Sequence, residues 1–88
     1  MEPYIARYIK DNYDDYFDDD YINFLIWMTN TEKIVYAKIR SSLDDLPDED
    51  YYNYFEDGVT YDNMAKIVIK NNSYWKFIQW TLYFIIQI

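Results

Sequence analysis

The sequence predicts an all-α fold: a small single-domain bundle of five or six short helices with a buried aromatic C-terminal helix. Three observations carry that expectation. Apolar residues recur at helical spacing, starting with Tyr4, Ile5, Tyr8 and Ile9. One Gly and two Pro are too few to turn a meander of hairpins. Hydrophobic residues make up 51% of 88, enough for one modest core and too many for a disordered acidic tail. One domain over 1–88 is expected, with neither internal repeats nor a linker.

The elements follow in order. Pro3 suits a first helical turn, and the helix after it runs to about residue 12. Arg7, Lys10 and Asp11 fall on its polar side. Asp11, Asp14, Asp15 and Asp18 are spaced so that a continued helix would line them up in one stripe. Poor helix propensity of Asp and repulsion between like charges argue against that continuation, and a loop through 12–19 is the competing reading. One of the three Asp before Tyr21 then caps the next helix.

Residues 21–29 form a short apolar block, read as a buried helix with a buried strand as the alternative. Asn30 and Thr31 supply a break and a new cap. The next segment places Ile34, Val35, Ile39, Ser42 and Leu43 on one helical face, although 33–39 also fits a strand.

Leu46-Pro47-Asp48-Glu49-Asp50 resembles a helix start, with Pro in the first turn and acids at the positive end of the dipole. That helix carries Tyr51, Tyr52, Tyr54 and Phe55 and stops at Gly58, a C′ residue. Thr60 caps the next helix, with Met64, Ile67 and Val68 inward and Lys66 and Lys70 outward. Asn71-Asn72 ends it, and Ser73 caps the last helix. There Lys76, Gln79, Tyr83 and Gln87 make one narrow polar stripe, and the remainder is apolar, as in the core helix of a bundle.

Charge is segregated. The net charge is −8, from 16 acids and 8 bases. Residues 11–32 hold seven acids and no base, and residues 41–65 hold eight acids and no base. Twelve Tyr beside abundant Ile, Asn, Asp and Lys is what an AT-rich genome encodes. The segregation of charge therefore carries more information than the tyrosine count. Direct binding of nucleic acid is disfavoured, because it requires Lys and Arg against phosphates. A basic protein surface is the natural complement.

Several chemistries lack their residues. With no Cys and no His, disulfides, Cys/His zinc sites, thiol nucleophiles and imidazole bases are excluded. An EF-hand register from Asp18 breaks at Ile22 and Asn23, and one from Asp48 breaks at Tyr52 and Asn53. Gly58 is misplaced for both. Neither a phosphate loop nor a cofactor fingerprint is present. A carboxylate pair for acid–base chemistry has no specificity among 16 acids. No cofactor, metal or enzymatic activity is expected.

The start Met1-Glu2-Pro3-Tyr4 lacks the basic and apolar regions of a signal peptide. The apolar run from Tyr74 to Ile88 is shorter than the roughly 20 residues of a membrane span. A cytoplasmic location is expected, in the host cytoplasm if the protein is viral.

Carboxylates one helical turn apart lie about 5–6 Å from each other. Duplex DNA shows a charge every ~1.7 Å of its axis. A rigid carboxylate array can therefore occupy a groove built for phosphates, and Tyr adds contact area at low entropic cost. The contacts expected are Asp14, Asp15, Asp18, Asp19, Asp48, Glu49 and Asp50, with Tyr16, Tyr51 and Tyr52 as anchors. Asp20 and Asp44 are read as helix caps. The two acidic windows are expected to form one negative face.

In size, charge and aromatic content the chain resembles the small acidic inhibitors of phages and mobile elements, such as anti-restriction and anti-CRISPR proteins. The resemblance implies a DNA mimic whose partner is a nucleic-acid-binding nuclease or effector. Two alternatives stay open. One is an acidic adaptor or antitoxin-like partner without mimicry. The other is an obligate homo-oligomer, in which a second copy covers part of the apolar excess.

Overall fold

The computed structural model describes residues 2–12 and 17–72, and the fold is all-α. Helix α1 is Tyr4–Asp11 and helix α2 is Asp19–Ile39. A 3-10 turn at Leu43–Asp45 leads to α3, Tyr51–Glu56. Helical backbone then covers 61–72, called α4 here. Residues 13–16, where a continued helix and a loop are the alternatives, and the expected buried helix after Ser73 lie outside the described residues.

Helix α2 is the axis of the described fold. Asp18 starts it: its carboxylate accepts the Tyr21 N–H at 2.8 Å, and Asp19 and Asp20 add negative charge to the first turn. The cap is thus Asp18 and not Asp20. The break expected at Asn30 and Thr31 does not occur, and α2 runs unbroken for 21 residues. The strand alternatives for 21–29 and 33–39 fall with it. Two hydroxyls explain the continuity. Thr29 Oγ1 donates to the Leu25 carbonyl and Thr31 Oγ1 to the Trp27 carbonyl, both at 2.8 Å. Bonded back by four residues, each threonine serves the helix interior instead of a cap. Burial supplies the rest, because Phe24, Met28, Thr31 and Val35 recur on one face and are all buried.

Helix α1 lies antiparallel along α2. A first-turn N–H, that of Ile5, donates to Thr29 Oγ1 at 3.0 Å, and the Tyr21 hydroxyl donates to the Tyr8 hydroxyl at 2.8 Å. Arg7 does not sit on a solvent face as its spacing suggested. Its guanidinium reaches Glu32 twice, at 2.9 and 2.6 Å, and also bonds Asp44 and the Glu2 carbonyl. Glu32 is 2% exposed and also accepts the Leu43 N–H at 3.0 Å. One buried carboxylate thereby holds α1, α2 and the 3-10 turn together. Asp44 serves this ion pair and not a helix cap.

The helix expected from Pro47 starts later, at Tyr51. Leu46 precedes proline and is extended, with φ −109 and ψ 158. Asp50, at φ −81 and ψ 59, makes an inverse γ-turn in which the Tyr51 N–H bonds the Glu49 carbonyl at 2.8 Å. The acids 48–50 therefore lie ahead of α3 and outside it.

The end of α3 follows expectation. Gly58 has φ 83 and donates to the Phe55 carbonyl at 3.1 Å, while the Val59 N–H reaches Tyr54 at 3.1 Å. These two bonds form a Schellman motif. The freed Val59 carbonyl accepts the Trp27 indole N–H at 2.9 Å, which ties the corner to α2. Thr60 Oγ1 accepts the Asn63 N–H at 3.3 Å, the expected cap of α4. Met64, Ala65 and Val68 of α4 complete the core with Leu25, Met28, Val35, Leu43 and Tyr51.

Candidate protein-binding face

Aromatic packing positions the site. Phe24 on α2 meets Tyr21, Trp27, Tyr52 and Phe55 at ring separations of 5.0–5.9 Å. Tyr52 stands edge-on to Phe24 and also touches Tyr21 and Phe55, at 6.4 and 6.2 Å. Rings at these separations attract through offset and edge-to-face geometry. Tyr52 is therefore backed by three rings, yet 40% of it remains exposed.

This contact joins the two acidic windows. Asp18, Asp19 and Asp20 directly precede Tyr21 at the start of α2, and all three are exposed. Glu56 follows Tyr52 by one turn of α3 and is also exposed. The Tyr52 hydroxyl is held above its ordinary pKa by hydrogen bonding to the Glu56 carboxylate, by desolvation, and by the charges of Glu56, Asp18 and Asp20. Carboxylates from both windows thus act on one ring.

The other expected contacts are distributed differently. Asp48 and Asp50 are exposed in the loop ahead of α3, and Glu49 is half-buried. Asp50 accepts from Asn53 Nδ2 at 2.6 Å, and Glu49 accepts from Asn71 Nδ2 at 2.9 Å, which links the loop to α4. Tyr51 is no surface anchor. It is 8% exposed, packs in the core, and its hydroxyl has no hydrogen-bond partner among the described residues. Burial raises its pKa, followed by the nearby charges of Glu49 and Asp48. Neighbours one residue apart on a short helix face different ways, so Tyr51 turns inward where Tyr52 turns outward. Asp14, Asp15 and Tyr16 lie outside the described residues.

Glu56 and Tyr21 belong to the site although the sequence reading did not select them. For Glu56 the signal was present: it follows Tyr52 by four residues. Tyr21 gave none, because an apolar block does not reveal which ring its edge will meet.

Ion pairs among the described residues engage only Glu32 and Asp44, both with Arg7. Asp18, Asp19, Asp20, Asp48, Glu49, Asp50, Glu56 and Asp57 are left without a cationic partner among those residues. No group of three acidic side chains among the described residues is arranged to hold a metal ion. Nor is any described helix long and apolar enough to cross a membrane. Comparison with protein-family models, curated proteins and solved structures finds no match to this chain.

Proposed function

We propose that this protein occupies the basic nucleic-acid-binding cleft of another protein, acting as a DNA mimic. In this reading it is an inhibitor of a bacterial defence nuclease or effector, of the anti-restriction or anti-CRISPR type carried by phages and mobile elements. It works by occupancy and not by catalysis. The observation that carries the reading is the meeting of both acidic windows at the exposed ring of Tyr52, with no compensating cation among the described residues. Uncompensated carboxylates repel each other and cost the free protein stability. A basic cleft relieves that repulsion and gains counter-charge along its length, so association is fast and weakens with salt.

The contact set is Asp18, Asp19, Asp20, Asp48, Glu49, Asp50 and Glu56, with Tyr52 as the anchor. Asp14, Asp15 and Tyr16 are assigned to it on sequence alone. Tyr51, buried in the core, leaves the set.

The test is affinity capture from a bacterial lysate followed by elution with short duplex DNA. A DNA-binding protein should elute with the duplex. Asp20→Lys combined with Glu56→Lys should lose it while the far-ultraviolet circular dichroism spectrum is unchanged. A partner that stays bound against excess duplex would reject the cleft reading and favour an adaptor or antitoxin-like protein.

A further inference from the structure

The two arginines of this chain, Arg7 and Arg40, show how its tyrosines receive a guanidinium. Arg7 stands over the Tyr4 ring at 5.4 Å, with carboxylates of Glu32 and Asp44 in its plane of reach at 2.6 and 3.1 Å. Arg40 stands over the Tyr36 ring at 5.8 Å. The first arrangement is a complete receptor: an aromatic face and carboxylates from two other elements around one planar cation.

Parts of the same kind lie near Tyr52. Its ring is braced by Tyr21, Phe24 and Phe55 and is 40% open. Tyr21, whose ring lies 6.4 Å from that of Tyr52, adjoins Asp20 and has its N–H held by the cap residue Asp18, and Glu56 follows Tyr52 by one turn of α3. An exposed ring with carboxylates near its rim suits a planar cation that can stack and hydrogen-bond at once. Both arginines of the chain are already engaged elsewhere, at Tyr4 and Tyr36, so the guanidinium must come from outside.

We infer that Tyr52, Asp18, Asp20 and Glu56 form a receptor for an arginine side chain of the partner protein, and that it selects arginine over lysine. This rests on the reading of the acidic face as a surface for a basic partner, and it adds which basic residue that face grips. A guanidinium stacks on the ring while its fork bonds carboxylates at the rim. An ammonium is more strongly hydrated and offers no plane to stack.

Titration with oligo-arginine and oligo-lysine peptides of equal length, at fixed ionic strength, tests this. The unaltered protein should bind the arginine peptide about two- to five-fold more tightly. The backbone amide resonances of Tyr52 and Glu56 should shift first. Tyr52→Phe keeps the ring and should keep the preference, whereas Tyr52→Leu should bind the two peptides equally. Equal binding by the unaltered protein overturns the arginine receptor and leaves the basic-partner reading standing. Failure of both peptides to bind overturns both. A preference that survives in Tyr52→Leu, or amide shifts centred away from Tyr52, overturns the assignment to this ring.

Discussion

Arg7 uses every donor it has. A guanidinium carries five N–H groups, and here they meet Glu32, Asp44 and the Glu2 carbonyl. Removing one side of a buried pair leaves an uncompensated charge, so Arg7→Ala should lower stability by about 3–5 kcal/mol. Arg7→Lys keeps the charge but not the fork, and it should lose much of the same stability in urea denaturation. A near-neutral Arg7→Lys would mean that the network does not hold the helices. The tyrosines supply a second residue-scale prediction. Burial raises the pKa of Tyr4, Tyr21 and Tyr51 above 10.0, with hydrogen bonding to Tyr8 contributing at Tyr21. A raised folded pKa favours the protonated, folded form. The stability it contributes is whole below the unfolded pKa of about 10 and is lost as pH rises beyond it. Tyrosinate absorbance should therefore titrate in two stages, the second coinciding with loss of helical signal. A single stage near the ordinary tyrosine pKa, with the helices intact, would contradict this.

At the scale of elements, the ends of helices separate cap from charge. Asp18→Ala removes the side chain that accepts the Tyr21 N–H and should cost about 1 kcal/mol. Asp20→Ala loses only a favourable dipole contact, about 0.3–1 kcal/mol, offset by relief of repulsion among neighbouring acids. Equal costs in thermal unfolding would mean that Asp18 is not the cap. Gly58→Ala is a purer case. Nothing lies within 4 Å of a Cβ placed there, so steric crowding plays no part. At φ 83 the cost is backbone strain, roughly 1 kcal/mol or more. These end signals were legible in the sequence because Asp, Thr and Gly act on their own neighbours. The expected break at Thr31 was not, since a threonine that caps and one that bonds back to Trp27 look alike until burial is known. Pro47 misled for a related reason: it permits a helix start, but its effect on Leu46 is extended backbone, and α3 waits for Tyr51.

Over the whole molecule, the charge of −8 sets a conflict between stability and binding. Exposed carboxylates without cations repel one another, and the repulsion is screened within about 10 Å at 0.1 M salt. Adding salt at low ionic strength should raise the melting temperature and weaken capture of a basic partner. Charge reversal at Asp57, at the C-terminal end of α3, should leave stability unchanged or slightly higher, while reversal at Asp20 and Glu56 together should lower partner binding. A melting temperature that falls with added salt would show that the acids are compensated within the fold. The helical class, the single acidic balance, the Gly58 stop and the Thr60 cap were all determined by the sequence itself, because helical period, composition and capping depend on residues within a turn or two. Tertiary structure alone decided that two predicted helices are one, that the half-buried Arg7 pairs with the buried Glu32, and that Tyr51 faces inward while Tyr52 faces out. It also brought the ring of Tyr21 on α2 against that of Tyr52 on α3. These outcomes depend on contacts between residues 25 to 37 positions apart, as in Arg7–Glu32 and Arg7–Asp44, and packing selects such pairs by shape and burial that no local pattern encodes.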